Sequence, residues 1–423
     1  MRTVPCRRPG CGQGRDCVAG PVESSDSAVK RISRCGDLDD CDVAVATREA
    51  GGIWVLSRSR SYVFIARLVG SIVVSQDNSG SSVSRVDVLH ISEAYGGGVQ
   101  SAMLNYIENS PCLTHRMLVR ARSEHDISEN AQTDLVQIDG SMLTFLLQTR
   151  SYIRKHKPRA IHLHSSVAGL LRIFRFGDVK VFYTPHAYAF LRNDSGPLAR
   201  SAYLTAEAAL SRRPQTIAAI SPYEAASAAR LAGPSTAVVY LPNVVQTRSA
   251  DQHRSPVVET KHEVVMVGRI SAQKDPGFFA AVARAARSNV HWTWVGDGDA
   301  VMKSELEQAG VTVTGWLPNT QVQKHLARAD LYLHSASWEG APITLLEAAA
   351  VGTPILARGI AELEGLGFPL TENCPLSAAH DVDRFFNDMT FHESTRNATF
   401  ESVEIHSPRV QKRALKSLYG SVG

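Results

Sequence analysis

Short apolar runs alternate with amphipathic segments along most of the chain, and this alternation constrains the fold more than any other feature. One set of such units begins abruptly at Val86–Ile91 and a second set begins at Glu263–Val267. Strand–helix units with apolar strands predict parallel sheets that are covered by helices on both faces. The fold class is therefore α/β, with two doubly wound, Rossmann-like domains facing each other across a cleft. Ligands of such sheets bind outside the carboxyl ends of the strands.

Polar stretches mark the boundaries of these sets. Residues 1–50 are rich in Gly, Ser, Asp and Arg and have no sustained period, and a polar run at 76–82 indicates a linker. Residues 1–84 are therefore predicted to be a disordered extension. A second polar run, at 247–259, predicts an interdomain linker, which gives domains at 85–245 and 246–423. The last helix of the second domain is expected to pack back on the first.

Composition and charge exclude several classes of protein. The 423 residues carry 45 basic and 41 acidic side chains, and the formal charge of +4 forms no basic stripe, so a nucleic-acid partner is not expected. No run reaches the roughly 18 apolar residues that a membrane-spanning helix needs. Met1 is not followed by the pattern of a secretory signal, so the sequence predicts a cytoplasmic protein.

The strongest chemical signal is the segment Ser337–Pro354, which follows an apolar strand. Pro342 suits the first position of a helix and Gly352 suits its end. The backbone amides of Ile343 and Thr344 are then free at the positive end of a helix dipole, which is a ready site for a diphosphate.

Two carboxylates flank this expected anion site. Glu339 lies in the loop before the helix, and Glu347 lies inside the helix. Each can accept hydrogen bonds from vicinal hydroxyls, as found on a ribose or on a sugar. In isolation the same spacing would suit a solvated helix, but its place after a strand and a helix start favours the functional interpretation.

The segment Val267–Pro276 is again a strand, a loop and a helix start. Asp275 is predicted to be the N-cap and Pro276 the first helical residue. Arg269 and Lys274 then project above the carboxyl end of a strand, where both cations suit a diphosphate. Either residue alone could equally be a surface cation.

These motifs resemble those of family 4 of the GT-B glycosyltransferases. The likeness covers roughly 85–410 and is strongest over 263–358, through Gly268–Lys274, Val295–Gly298 and Glu339–Glu347. The resemblance implies a retaining, metal-independent transferase whose first domain faces the acceptor and whose second domain binds the donor.

The resemblance also implies roles for the acidic and basic residues. Arg269 and Lys274 would grip the donor diphosphate, and Glu347 would hold the ribose. Glu339 would meet the transferred sugar. The helix-start amides of Ile343 and Thr344 keep the phosphate-binding role that the helix dipole predicts.

Further roles fall on glycine-rich loops and one histidine. Gly340 and Ala341 would bring backbone amides to the sugar, and the loop containing Gly97 and Gly98 would lie beside the donor phosphates. His186 corresponds to a cleft histidine near the donor sugar. A lone histidine is more often structural, and it is the resemblance that favours the functional role.

Neither a metal nor a cofactor is predicted. Asp297–Gly298–Asp299 has the spacing of a metal site, but it matches the family's Gly-x-Gly turn. Five of the seven cysteines precede residue 42 without any Cys-x-x-Cys pair, which disfavours zinc. They are Cys6, Cys11, Cys17, Cys35 and Cys41. His164 with Ser165 could contact the acceptor or cap the next helix.

One helix suggests contact with a membrane surface. Over 141–156, Met142, Phe145, Leu146 and Ile153 share a stripe, and basic residues follow at its C-terminal end. Such a stripe can lie in an anionic interface, which would hold the protein at the cytoplasmic face of a membrane. Alternatively, the stripe packs on the sheet and the cations favour the helix C-terminus.

The predicted function is transfer of a hexosyl-type unit from a UDP- or GDP-type sugar to a hydroxyl of a glycan or lipid-linked acceptor, in cell-surface polysaccharide or glycolipid synthesis. The alternatives are an epimerase or hydrolase on the same fold, or a non-catalytic donor-binding partner subunit. Residues 362–367 depart from the family's Gly-rich loop, so the likeness does not extend to the choice of donor sugar.

Overall fold

The computed structural model describes residues 85–93, 95–120, 134–245, 262–420 and 422, together with the backbone of 47–48 and 54–55. The two short strands β1 (Thr47–Arg48) and β2 (Trp54–Val55) pair antiparallel. The rest of the predicted extension, its five cysteines, and the predicted linker at 247–259 lie outside the described residues.

Seven parallel strands form the first sheet, in the spatial order β5-β4-β3-β6-β7-β8-β9. In chain order they are β3 (Val88–Ser92), β4 (His115–Arg120), β5 (Leu135–Ile138), β6 (Ala160–His164), β7 (Lys180–Thr184), β8 (Gln215–Ala219) and β9 (Thr236–Tyr240). The α-helices of this part are α1 (Gly97–Glu108), α2 (Met142–His156), α3 (Pro197–Leu210) and α4 (Pro222–Leu231). A 3-10 helix, Ala168–Ile173, stands where the sequence predicted a helix between β6 and β7.

Six parallel strands form the second sheet, in the order β12-β11-β10-β13-β14-β15. They are β10 (His262–Val267), β11 (Val290–Val295), β12 (Thr312–Val313), β13 (Leu331–His334), β14 (Ile355–Arg358) and β15 (Leu370–Thr371). The α-helices are α5 (Pro276–Ala285), α6 (Ala300–Gln308), α7 (Asn319–Arg328), α8 (Ile343–Ala350), α9 (Pro375–Asn387), α10 (Met389–Ile405) and α11 (Pro408–Tyr419). Two doubly wound parallel sheets confirm the predicted fold class.

The central strands are buried on both faces, as parallel sheets require. Every residue of β3, β6 and β13 is buried. The face of the first sheet that carries Val88, Ala160 and Phe182 packs against α11, whose Leu415 and Leu418 belong to the same apolar cluster. The last α-helix of the chain therefore lies on the first sheet.

The apolar stripe of α2 packs in the core of the first sheet. Phe145 and Ile153 are 0% and 1% exposed, and Met142 and Leu146 pack partly buried against the same cluster. The basic residues lie in the last turn, where they complement the helix dipole. The prediction that this stripe lies in a membrane interface was wrong, because the stripe faces the sheet. Within the described part of the chain, no helix combines the length and the apolar character needed to cross a bilayer.

Candidate active site

Each sheet reverses its strand order at one point, and most of the predicted site residues lie on the loops and helices that follow the strands at these two points. In the second sheet β10 and β13 are neighbours, and the loops at 268–275 and 335–342 follow them. In the first sheet β3 and β6 are neighbours, and the loop that includes Gly96 follows β3. A doubly wound sheet binds its ligand in the crevice at this reversal.

An ion pair joins the two loops of the second sheet. The Nζ of Lys274 donates a short hydrogen bond to Oε1 of Glu339, and the side chains are only 16% and 7% exposed. Burial alone would raise the pKa of Glu339, but the charge of Lys274 and the neighbouring His334 hold that pKa down at about 2. Glu339 is therefore a carboxylate that is kept ionised by its partner.

Two further side chains surround this pair, and the sequence interpretation did not include them. His334, the last residue of β13, is fully buried, and its Nε2 lies 3.4 Å from Oε1 of Glu339. Gln273 donates to the carbonyl of Trp338 over 3.3 Å. In the sequence, His334 is only the last residue of a predicted apolar strand. Its distance to Glu339 in the structure is what identifies it as part of the site.

Backbone contacts fix the loop that carries Arg269. A Cβ added at Gly296 would lie 2.1 Å from the carbonyl oxygen of Gly268, and one added at Gly298 would lie 2.2 Å from that of Ile270. Glycine is required at both positions because the loops after β10 and β11 touch backbone to backbone. Arg269 is exposed at the top of this layer.

The start of α8 differs slightly from the prediction. Pro342 has an extended ψ of 121° and is the N-cap, so the helix begins at Ile343 rather than at the proline. The amides of Ile343 and Thr344 still precede the first intrahelical partner, as in any helix start. The helix start therefore lies one residue later than predicted, and the predicted anion site still contains both amides.

Glu347 lies on α8 and faces a partly buried environment. Burial raises the pKa of Glu347 to about 7, and a hydrogen bond from the side chain of Asn319 only partly opposes this shift. Burial therefore favours the protonated form of this carboxyl group more than in an exposed glutamate. It is suited to a partner that donates hydrogen bonds, because such a partner stabilises the ionised form.

A strained turn after β7 places His186 against the second half of the chain. His186 and Ala187 both have positive φ, 52° and 76°. The carboxyl group of Glu224 accepts hydrogen bonds from the amides of Ala187 and Ile220, each over 3.0 Å, and so holds this turn. A Cβ at Gly340 would lie 2.9 Å from the nitrogen of Ala187, so glycine permits the contact. In the sequence, the segment 221–224 indicates only a helix start, so it does not reveal this role of Glu224.

The remaining predicted glycines lie at the same contact. Gly97 and Gly98 begin α1, and a Cβ at Gly98 would lie 4.0 Å from Cδ1 of Ile343. The carbonyl of Ala341 accepts a hydrogen bond from Asn243. The structure thus brings His186 and the Gly97–Gly98 loop against residues 340–343, while Glu347 lies further along α8.

A groove of about 330 Å³ is lined by residues from both halves of the chain. Asn193 comes from the first half, and Ser337 and Trp338 come from the loop before Glu339. The side-chain amide of Asn193 donates to the carbonyl of Ser337 over 3.0 Å and bridges the two halves.

The aspartates with metal-like spacing have structural partners. Asp297 accepts from the amide of Gly298 and lies 3.3 Å from the Nζ of Lys303. Asp299 caps α6 by accepting from the amides of Val301 and Met302. The turn interpretation of this segment agrees with both sets of contacts.

Both halves of the chain match models of glycosyltransferase domains. Residues 40–244 match the model described as "Glycosyl transferase 4-like domain". Residues 261–390 match the model described as "Glycosyl transferases group 1".

Two curated relatives are similar in sequence. An uncharacterized 41.2 kDa protein in the cps region of Klebsiella pneumoniae is 27% identical over 299 residues, which are 66% of this chain and 82% of that protein. A putative teichuronic acid biosynthesis glycosyltransferase, TuaC, of Bacillus subtilis is 33% identical over 102 residues. That alignment spans 24% of this chain and only 26% of the relative.

Solved structures share the fold at low identity. Sucrose-phosphate synthase from Thermosynechococcus elongatus superposes with a TM-score of 0.68 at 16% identity, covering 80% of this chain and 99% of that one. HepE from Anabaena in complex with UDP-glucose superposes with a TM-score of 0.60 at 15% identity, covering 79% and 98%.

Proposed function

This chain is a glycosyltransferase of the GT-B fold, and we propose that it transfers a sugar from a nucleoside diphosphate sugar to a hydroxyl acceptor. The observation that carries the proposal is the buried Lys274–Glu339 pair, which joins the two loops at the strand reversal of the second sheet. α8 begins four residues after Glu339. A diphosphate and a sugar are the ligands that this combination suits.

The charges match the transfer step. As the glycosidic bond breaks, negative charge grows on the departing diphosphate and positive charge grows on the sugar ring. Arg269, Lys274 and the amides of Ile343 and Thr344 would stabilise the diphosphate, and Glu339 would lie near the sugar. In the donor complex, Lys274 would interact with both the diphosphate and Glu339. The reaction we propose is retaining and needs no metal, because cations and amides take the place of a metal ion.

The acceptor and the setting are inferred from the relatives. One relative is encoded in a cps region and another is a putative teichuronic acid biosynthesis glycosyltransferase. We infer a role in the synthesis of a cell-surface polysaccharide or glycolipid. The groove beside Asn193 and Trp338, which both halves line, is the place where we expect the acceptor to enter.

A panel of nucleotide sugars tests the proposal. We expect one or a few UDP- or GDP-sugars to raise the melting temperature, and the same donors to yield a glycosylated product only when an acceptor is present. Sugar release from donor alone at the rate seen with acceptor would indicate a hydrolase instead. Donor binding without any turnover would indicate a partner subunit.

Activity is expected to survive removal of divalent metals, because no step that we propose uses one. Transfer rates measured with excess EDTA should match those measured with Mg²⁺ or Mn²⁺ added. Loss of transfer in EDTA that only a divalent cation restores would contradict the metal-independent mechanism.

Glu347→Ala should weaken nucleotide binding by roughly 10- to 100-fold, the value of one or two hydrogen bonds to a charged acceptor. The affinity of the unaltered protein should fall as the pH drops below about 7, because protonation of Glu347 removes an acceptor for the ribose hydroxyls. Calorimetry with the nucleoside diphosphate identified in the panel measures both effects. Glu347→Gln is the control, since it should lose this pH dependence. Unchanged affinity in Glu347→Ala would remove Glu347 from the ribose site.

A further inference from the structure

Four histidines form a continuous hydrogen-bonded chain through the first sheet to the cleft. Nδ1 of His115 pairs with Nε2 of His90 over 3.1 Å, and Nδ1 of His90 pairs with Nε2 of His164 over 3.0 Å. Nδ1 of His164 then pairs with Nε2 of His186 over 3.0 Å. The first three rings are buried and His186 is partly exposed, so the chain opens only at the cleft end.

The inner end of this chain of histidines determines which nitrogen of each ring carries the proton. Nε2 of His115 lies 3.2 Å from the carbonyl oxygen of Ser110 and 3.0 Å from its hydroxyl oxygen. The hydroxyl proton of Ser110 is directed to the carbonyl of Tyr106, over 2.5 Å, so both oxygens of Ser110 can only accept. Nε2 of His115 must therefore carry a proton.

That assignment passes from ring to ring because each imidazole is neutral. Burial lowers the pKa of His115. Burial and neighbouring histidines together hold the pKa values of His90 and His164 well below their usual range. Burial also lowers the pKa of His186 to about 3. A neutral ring has one N–H, so a protonated Nε2 leaves Nδ1 as an acceptor for the next Nε2–H.

We infer that His115, His90 and His164 are positioning residues that hold His186 in its Nε2–H tautomer, with Nδ1 as a hydrogen-bond acceptor at the cleft. Nδ1 of His186 has no hydrogen-bond partner among the described residues, while the His186 backbone lies against Gly340. The ligand we assign to it is a sugar hydroxyl, which donates its proton. That last assignment rests on the proposed function, whereas the tautomer does not.

The same histidines raise the question of a metal ion. Within the described residues, His90, His162 and His164 bring three possible ligand atoms within 4.8 Å of one another. His162 belongs to a separate set of contacts, with Nδ1 2.6 Å from the hydroxyl of Tyr419 and Nε2 2.8 Å from that of Thr184. Each ring nitrogen of the three thus has a hydrogen-bond partner, and the hydrogen-bonded chain accounts for the cluster.

The tautomers can be read directly in the free, full-length protein by nitrogen NMR with ¹⁵N-labelled histidine. We expect the resonances of His90, His115, His164 and His186 to show a protonated Nε2 and a bare Nδ1 at pH 7.5. Assignment uses the signal that disappears in each His→Gln variant. A protonated Nδ1 on His186 would overturn the inference, and so would a stoichiometric zinc ion found by elemental analysis.

A pair of matched variants separates positioning from packing. His115→Phe removes the residue that sets the direction of the chain, so His186 should become a mixture of both tautomers. His162→Phe makes the same change in the same buried layer, outside the chain, and should leave the His186 tautomer as it is. Equal effects of the two variants on the His186 tautomer would mean that these histidines only pack together and do not set the tautomer.

The ligand is tested separately with UDP-glucose and UDP as probes. UDP-glucose should shift the Nδ1 resonance of His186, because a sugar hydroxyl donates to it, and UDP should not. A shift of equal size with UDP alone would overturn the sugar assignment. If neither probe binds while the tautomers are as expected, UDP-type donors are excluded from the proposed function and the positioning chain stands.

Discussion

Lys274→Ala is expected to lower the transfer rate roughly 30- to 150-fold, which corresponds to about 2–3 kcal/mol of lost electrostatic stabilisation of the departing diphosphate. The same change should lower the free energy of unfolding by about 3–5 kcal/mol, because the buried carboxylate of Glu339 loses its partner. Initial rates with the donor found in the panel and urea unfolding at pH 7.5 measure the two effects.

Two matched variants separate catalysis from folding. Arg269→Ala should lose a similar share of rate with little loss of stability, because Arg269 is exposed. The double variant Lys274→Met with Glu339→Gln should recover most of the stability, since it removes both buried charges, and should stay inactive. If Lys274→Ala keeps its full rate, Lys274 is not a ligand of the diphosphate.

The protein is expected to lose stability in mild acid, because buried histidines in the first half of the chain stay neutral in the folded state. They include His90, His115, His162 and His164 on the first sheet and His186 in the turn after β7. Burial is the main cause of each lowered pKa, and it lowers that of His186 to about 3. In the unfolded chain their ordinary value is near 6.5, so the unfolded state binds more protons below that pH. Stability is therefore lost as the pH falls below about 6.5.

Two carboxyl groups oppose this effect. Burial raises the pKa values of Glu224 and Glu347 to about 7, so between about 4.5 and 7 the folded state binds a proton at each that the unfolded state does not. These two protons offset only part of the uptake by the histidines, so unfolding still takes up protons below pH 6, and each net proton contributes about 1.4 kcal/mol for each pH unit. Urea unfolding at pH 7.5, 6.0 and 5.0 measures this slope.

Single variants test the source of the slope. His162→Phe should reduce it by about 1.4 kcal/mol per pH unit, and Glu224→Gln should increase it by a similar amount. A flat stability curve between pH 7.5 and 5.0 would mean that the histidines are protonated in the folded protein. The tautomer argument for His186 would then fail as well.

The sequence by itself determined the fold class and the loops of the second half. Apolar strands of four to six residues followed by periodic helices specify parallel sheets, because only such sheets bury strands on both faces. Proline and capping signals located the helix starts at Pro276 and Ile343 to within one residue. These signals are local, so they can be read from neighbouring residues. No helix was predicted at α3, which buries only Glu207 and Leu210.

Only the tertiary structure decided which distant side chains meet. Lys274 and Glu339 are 65 residues apart in sequence, and they meet because β10 and β13 are neighbours in the second sheet. His115 and His186 are linked through His90 and His164, because β3 and β6 are neighbours in the first sheet. The orientation of the α2 stripe and the role of Glu224 were decided in the same way. Burial, partner distance and pKa depend on what packs from other elements, and a one-dimensional pattern carries no record of those neighbours.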